Sequence, residues 1–320
     1  MSRLPVKARL LARSMLRNRT WFPMEAWDDE RYHQAFERMR ATEDQLEVQR
    51  AAARDGAFVG GPVFSVIVPL YCTTREYLDD MANSVLAQTY PNLELVLVNA
   101  SPDFEDLSLR VVALAAGDSR VKVVELEANL GITENTNRGI DAATGDFVCF
   151  LDHDDWIEPD ALFEYAMAVI DDDSIDLLYC DEDHVLREKS GWHYCHPFFK
   201  PSYSPEHLLC KNYIIHLLCV RKSIVDAMPR PGSEFDGSQD YNMTLRVSEQ
   251  ARQVCHVPKV LYHWRMSEDS TADNPEAKPY AKASNRLAVW RHLQRTGVQG
   301  SIIGSGIPRL HNIWFAVDDS

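Results

Sequence analysis

No apolar run in this 320-residue chain reaches the roughly 20 residues that a bilayer-spanning helix needs. The N-terminus lacks the apolar core of a signal peptide, so a cytoplasmic location is expected. Basic charge is also short. Against 33 Lys and Arg stand 48 Asp and Glu, a net charge of -15 that argues against a general nucleic-acid binder. The seven cysteines, Cys72, Cys149, Cys180, Cys195, Cys210, Cys219 and Cys255, are odd in number, scattered and free of C-x-x-C spacing. That pattern excludes a disulfide frame or a zinc site and fits reduced, buried thiols. Glycine is missing where a phosphate loop would need it. The segment after the first predicted strand, Pro69-Leu70-Tyr71-Cys72-Thr73-Thr74, contains none, which excludes a nucleotidyltransferase loop and a dinucleotide oxidoreductase fingerprint. Internal repeats and low-complexity tracts are absent.

What is present is ordinary globular material, 45% hydrophobic and 25% charged, ample for a large core. Three segments are expected: an N-terminal helical extension over 1–60, an α/β domain over 61–305 and a C-terminal tail over 306–320. Arg3, Lys7, Arg9, Arg13, Arg17 and Arg19 give residues 1–20 a charge of +6, leaving -21 on the rest. Leu4, Ala8, Leu11 and Met15 share one side of a helix there. Such a basic amphipathic helix can lie peripherally on the anionic inner face of a plasma membrane; a helix packed on the body or a frayed tail is the even alternative. Residues 24–55 read as a second helical segment, closed by Gly56, Gly60, Gly61 and Pro62.

From Phe64 strands and helices alternate. Strands are expected at 64–68, 93–98, 121–126 and 147–151, with helices at 75–88, 107–116 and 133–143, the last stopped by a left-handed Gly145. A helix from Pro159 and a strand at 175–180 complete the run. This grammar means a parallel sheet with right-handed crossovers. Beyond Cys180 it stops, and 181–205, rich in His, Pro and aromatics, read as long loops. Helical pieces at 204–211 and 241–251 flank an apolar run at 213–220. A strand at 254–262, a helix at 278–296 and a short strand at 309–317 follow.

The chain is organised around Phe147-Val148-Cys149-Phe150-Leu151-Asp152-His153-Asp154-Asp155. An apolar strand ends there in three carboxylates within four positions, at the edge where open α/β sheets bind ligands. Carboxylates so crowded repel one another, and a divalent cation relieves this; hard oxygen ligands suit magnesium or manganese. The plain alternative is a solvated acidic turn that caps the next helix.

The ordered set of motifs resembles the family 2 glycosyltransferases, inverting enzymes of the GT-A fold, from about Phe64 to about Gly297. It runs through Val66-Ile67-Val68-Pro69-Leu70-Tyr71, the stretch from Ser84 to Asn92, Asn129-Leu130-Gly131-Ile132 and Ala143-Thr144-Gly145-Asp146 into Leu151-Asp152-His153-Asp154-Asp155. Tyr179-Cys180-Asp181-Glu182-Asp183, Phe199 to Pro205, Asp236-Gly237-Ser238-Gln239-Asp240-Tyr241 and Leu261-Tyr262-His263-Trp264-Arg265 continue it. The later pieces are similar to the bacterial branch that builds cell-surface polysaccharide, where rhamnosyltransferases are common. The resemblance implies a metal-dependent transferase that moves a sugar from a nucleotide-diphosphate donor, UDP or dTDP, to a hydroxyl of a glycan or lipid-linked acceptor.

It also implies roles. Pro69 and Tyr71 line the nucleobase pocket. Asp154 holds the metal, manganese or magnesium, with Asp152 near it and the ribose. Asp240 is the general base. His263 and Arg265 belong to a segment that closes over metal and diphosphate. Asp155, Asp181, Asp183, Gln239 and Trp264 fall to acceptor contact or support. Asn99 stands where the family has an aspartate that reads the base, and Thr136 where many members have Arg.

Physical chemistry leaves alternatives beside these roles. Asp240 could be a plain helix N-cap. Asp181 and Asp183 could form a solvated turn, and Lys200 could be simply exposed. His153 suits packing or a rim. His193, His196 and His207 suit acceptor contact or plain surface. Trp192, Trp264, Phe198 and Phe199 could stack on sugars or pack in the core. Loops 186–200 and 264–275 would keep water out. A degenerate domain that binds glycans as a scaffold is the competing function, and a two-carboxylate glycan hydrolase ranks last.

Overall fold

The computed structural model describes residues 29–189, 191–266, 279–304 and 310–315. The basic segment 1–20 and the expected lid residues 267–275 lie outside these. The expected segment 24–55 is two helices, α1 (Asp29–Met39) and α2 (Glu43–Arg54). The break falls at Thr42, whose hydroxyl accepts from Gln45 N while the Gln45 side chain accepts from Thr42 N. This reciprocal cap starts a new helix and so ends the old one.

The alternating half then forms as expected. β1 (Phe64–Leu70), β2 (Leu93–Asn99), β3 (Val121–Glu125) and β4 (Phe147–Phe150) run parallel in the order β3-β2-β1-β4. Between them lie α3 (Arg75–Leu86), α4 (Glu105–Gly117) and α5 (Ile132–Ala142). The strands β1 and β2 are buried almost throughout, which is why they read as unbroken apolar runs. Gly145 does not act as a left-handed stop. It is needed for close approach: a Cβ there would lie 2.6 Å from Ser65 Oγ and 2.7 Å from Val63 O. Gly139 brings α5 onto β1 in the same way, its Cβ position 2.3 Å from Ile67 Cγ2. Gly139→Ala is therefore expected to destabilise the fold by about 1–3 kcal/mol through overpacking, read as a lower urea midpoint.

After β5 (Trp156–Ile157) and α6 (Ala161–Asp171), the expected loops over 181–205 prove to be strand as far as Phe198. β6 (Ile175–Glu188) continues eight residues past Cys180 and turns back as β7 (Gly191–Phe198). The charges that disguised it are buried and paired. Asp181 meets His256, Glu182 meets Lys200 at 2.7 Å, and Asp183 meets His263. Neither Asp181 nor Asp183 is a solvated turn, and Lys200 is not exposed.

Next come α7 (Pro205–Cys210), β8 (Leu218–Arg221), α8 (Lys222–Ala227), α9 (Gln239–Ser248), β9 (Gln253–Arg265) and α10 (Pro279–Thr296). The sheet extends β4-β8-β6-β9-β5, with β8 antiparallel to both neighbours and β9 parallel to β6. The central sheet is thus mixed in this half. A separate hairpin pairs β10 (Gly300–Gly304) with β11 (His311–Phe315). One face of the sheet buries α3, α4 and α6 through Leu78, Val85, Val111 and Leu162; the other buries α5, α9 and α10 through Ile140, Leu245 and Leu293.

α1 is built into this body. Tyr32 and Phe36 pack on Val185, Tyr194 and Val260. Tyr32 donates to Asp183 at 2.7 Å, and Arg40 pairs with Glu158 at 2.6 Å. No described helix is long and apolar enough to cross a membrane.

Candidate active site

The parallel strands β1, β2 and β4 end together, and their C-terminal ends carry the first group of expected residues. Pro69 pairs with Val98 in register, and Leu70 with Asn99. Pro69 is half-buried and Tyr71 is exposed, so both face the rim of this edge. Cys72 N donates to Ser101 Oγ at 2.8 Å, tying the β1 and β2 loops together. Asn99 does not present its amide to a ligand. It is fully buried, donates to Ser108 Oγ and Glu125 Oε2, and accepts from Ser101 N. Both ends of the amide are used in shaping the loop. Thr136 Oγ1 likewise turns back to Ile132 O at 2.8 Å inside α5.

At the end of β4 the three carboxylates separate in environment. Asp152 is half exposed, Asp154 partly so, and Asp155 fully buried. Asp155 accepts from the Tyr262 hydroxyl and from Arg265 N at 2.8 Å. Burial first, then the charges of Asp154 and Asp152, hold its carboxyl well above the usual carboxylate range. Donor atoms of Asp152, Asp155 and His216 lie within 4.8 Å of one another. His216 stacks on the Tyr262 ring with centroids 4.4 Å apart, and Trp264 meets its edge at 5.5 Å. Burial, and after it Lys200, push His216 down to about 3, so its imidazole is neutral and fit to ligate. Without an ion Asp155 is thus held protonated; a bound cation would draw that proton off, and two carboxylates with a neutral imidazole would then form a donor set that suits manganese or magnesium. The third acid of the motif, rather than Asp154, supplies the group's second carboxylate.

His263 is elsewhere. Its Nδ1 pairs with Asp183 at 2.6 Å and its Nε2 with Glu158 at 3.1 Å, so neither ring nitrogen is left for a metal. Although burial opposes its charge, Asp183 and Glu158 raise it to about 9. Arg265 is also committed. Its Nε donates to Asp154 O at 2.7 Å and a terminal nitrogen to Asp80 at 2.8 Å. Its guanidinium lies 4.6 Å from the Tyr77 ring and 4.7 Å from that of Trp192. The Tyr262–Arg265 segment therefore holds the acidic turn through Asp155 and the Asp154 carbonyl. Trp192 packs on Trp156 at 4.4 Å. His153 is mostly buried, with Nδ1 unpartnered among the described residues.

His193 lies tilted against His33 with ring centroids 4.7 Å apart, His207 stacks on Tyr213, and His196 sits near Asp29 at 3.5 Å. Phe198 lies 4.9 Å beneath Lys211, and Phe199 is exposed.

Asp240 is not a helix N-cap. Ser238 holds that position, and Asp240 lies inside the first turn of α9. Gly237, with φ +77, makes the bend that delivers this turn. Asp240 Oδ2 accepts from Asn212 Nδ2 at 2.8 Å. Gln239 beside it has a buried side-chain oxygen without a partner among the described residues. At the other end of the site Gly131, φ +90, lets the start of α5 approach Asp236; a Cβ would lie 2.8 Å from its Oδ2, and Thr133 N donates to Oδ1 at 3.1 Å.

His216, Asn212 and the buried role of Lys200 were missed in the sequence. Lys200 Nζ donates to Ile214 O at 2.7 Å and to His216 O, fixing the loop that carries His216. The one visible signal was a histidine interrupting the apolar run 213–220.

The sequence pattern of Glycosyl transferase family 2 matches residues 65–226. An uncharacterised protein y4gI of Sinorhizobium fredii is 37% identical over 238 residues, 74% of this chain and 26% of its own length. The O-antigen biosynthesis protein RfbC of Myxococcus xanthus is 31% identical over 268 residues, 84% of this chain and 20% of its own. The chain thus spans about a quarter or less of these relatives. Among solved structures, S. aureus TarS 1–349 in complex with UDP-GlcNAc superposes with a TM-score of 0.55 at 24% identity, over 71% of this chain and 65% of that one. That likeness shows the fold, which is GT-A with an N-terminal helical region.

Proposed function

The chain belongs to glycosyl transferase family 2 and is a glycosyltransferase, and on that premise we propose that it moves a sugar, with inversion and with help from a divalent ion, from a UDP- or dTDP-sugar to a hydroxyl of a glycan or lipid-linked acceptor in cell-surface polysaccharide synthesis. The observation that carries this reading is the convergence of Asp152, Asp155 and His216 at the end of the central strand β4. These three residues would hold manganese or magnesium, and the ion would supply positive charge to stabilise the departing nucleoside diphosphate. Asp154 flanks the group with its carboxylate. Pro69 and Tyr71 form the wall against which the base lies, without Asn99. The names of RfbC and TarS, an O-antigen biosynthesis protein and a poly(ribitol-phosphate) β-N-acetylglucosaminyltransferase, support a surface-polymer acceptor.

Asp240 removes the proton of the acceptor hydroxyl as its oxygen attacks the anomeric carbon. The new C–O bond forms on the face opposite the diphosphate, whose bond breaks with its electron pair. Gln239 and Trp264 contact the acceptor side.

Binding of UDP- and dTDP-sugars, measured by calorimetry with manganese, with magnesium and with EDTA, tests the donor and metal together. Metal-dependent binding is expected in the native chain, and at least tenfold weaker binding in Asp152→Asn and His216→Ala. Equal affinity in EDTA removes the metal, and native affinity in His216→Ala removes that residue from the ligand set. Asp154→Asn, which keeps the buried ligands, is expected to bind the donor more weakly than native but more tightly than Asp152→Asn.

A further inference from the structure

We propose that Asn212 is a positioning residue for the reaction: it holds the Asp240 carboxylate in its proton-accepting orientation and offers its own carbonyl oxygen to a second hydroxyl of the acceptor. The proposal rests on the reading of Asp240 as general base. Asn212 lies outside every motif that marked the chain's function, in the short connection between α7 and β8.

Three observations carry it. First, the hydrogen bond from Asn212 Nδ2 to Asp240 Oδ2, 2.8 Å long, joins elements 28 residues apart in the chain. A carboxylate only accepts, so this contact also fixes which end of the amide faces it. Second, both partners are held from either side. Tyr241, next to Asp240, donates its hydroxyl to the carbonyls of Leu208 and Leu209 at the end of α7. Tyr213, next to Asn212, is fully buried and accepts from Ser204 N at 2.9 Å. Lys200 then pins the same connection at Ile214 and His216. An amide so placed has little freedom to leave the carboxylate. Third, Asn212 Oδ1 is buried and has no hydrogen-bond partner among the described residues. A buried acceptor left unpaired is unfavourable, and its natural complement beside a base is a donor on the ligand. The hydroxyl next to the reacting one on a sugar ring is such a donor.

Asn212 and His216 also share one connection, so the base and the metal group are set by a single piece of backbone. A contact whose only duty were to brace α7 against α9 would not need the amide, since Tyr241 already supplies that brace.

The test compares Asn212→Ala, Asn212→Ser and Asn212→Asp with Asp240→Asn. Each variant is assayed over pH with the UDP- or dTDP-sugar on which the native chain is fastest and with water as acceptor, and the Asp240 carboxyl is titrated by carbon NMR. Asn212→Ala and Asn212→Ser are expected to lose about 10–100-fold in kcat with donor affinity unchanged. Asn212→Asp places a second carboxylate against the first, so the acid limb of its pH profile and the Asp240 titration both move up by about one unit or more. Adding Asn212→Ala to Asp240→Asn costs little further activity. A native pH profile and native kcat in all three Asn212 variants, with only the melting temperature lowered, overturn the proposal. Normal turnover by Asp240→Asn overturns the base assignment instead, so the two failures are distinct.

Discussion

Asp240→Asn is expected to transfer sugar about 10²–10⁴-fold more slowly than the native chain, with donor affinity and melting temperature nearly unchanged. The substitution keeps the shape and can still accept from Asn212 through its amide oxygen. It leaves the helix start alone, because Ser238 occupies the N-cap and the Asp240 carbonyl stays bonded to Thr244 Oγ1 at 2.9 Å. What it removes is a group that takes a proton. If Asp240 served only the helix, Asp240→Asn would turn over normally and Asp240→Ala would merely melt earlier. Single-turnover rates, donor dissociation constants and thermal scans on the two variants separate these outcomes.

The second large effect concerns stability. His263→Leu is expected to destabilise the fold by about 3–5 kcal/mol, because it leaves Asp183 and Glu158 buried without their common cation. For a chain of this size that corresponds to a drop in Tm of roughly 6–20 °C. A metal-ligand role for His263 predicts the reverse: weakened metal-dependent donor binding on a normally stable fold. The same network sets a pH dependence. The folded His263 titrates at about 9, above the usual histidine value near 6.5. Its contribution is therefore complete below about 6.5 and is lost as pH rises through about 9. Glu158 is shifted the other way, down, so its contribution is present above the ordinary glutamate value and is lost in acid. Urea midpoints measured across this range should fall on the alkaline side in the native chain and lose that fall in His263→Leu. Tyr32→Phe, which strips a donor from Asp183, should cost about 1–3 kcal/mol.

The first half of the fold was legible because its strands are buried on both faces and carry little but apolar side chains, as in Val66-Ile67-Val68 and Leu95-Val96-Leu97-Val98. The β6–β7 hairpin was not. Its strand carries Asp181-Glu182-Asp183, and local pattern reads three acids in a row as solvent-facing. Their partners come from three separate stretches of the chain, Lys200, His256 and His263 of β9, and Tyr32 of α1, and no local rule brings them together. The proposed site divides in the same way. Its place at the end of β4 comes from the motif, whereas the choice among the acids rests on tertiary contacts. Tyr262 and Arg265 hold Asp155, and Lys200 delivers His216. Asn99 stood at the expected place, but its neighbours Ser108 and Glu125 consume its amide.

The docking of α1 bears on how this unit can be exchanged or excised. The glycines at 60 and 61 look like a natural seam, and a graft cut there would transfer the whole family pattern. It would also leave behind Tyr32, Phe36 and Arg40, stripping Asp183 and Glu158 of partners and uncovering Val185, Tyr194 and Val260. The smallest portable module therefore starts at or before Asp29, and chimaeras between related transferases should be joined on that side of the helix.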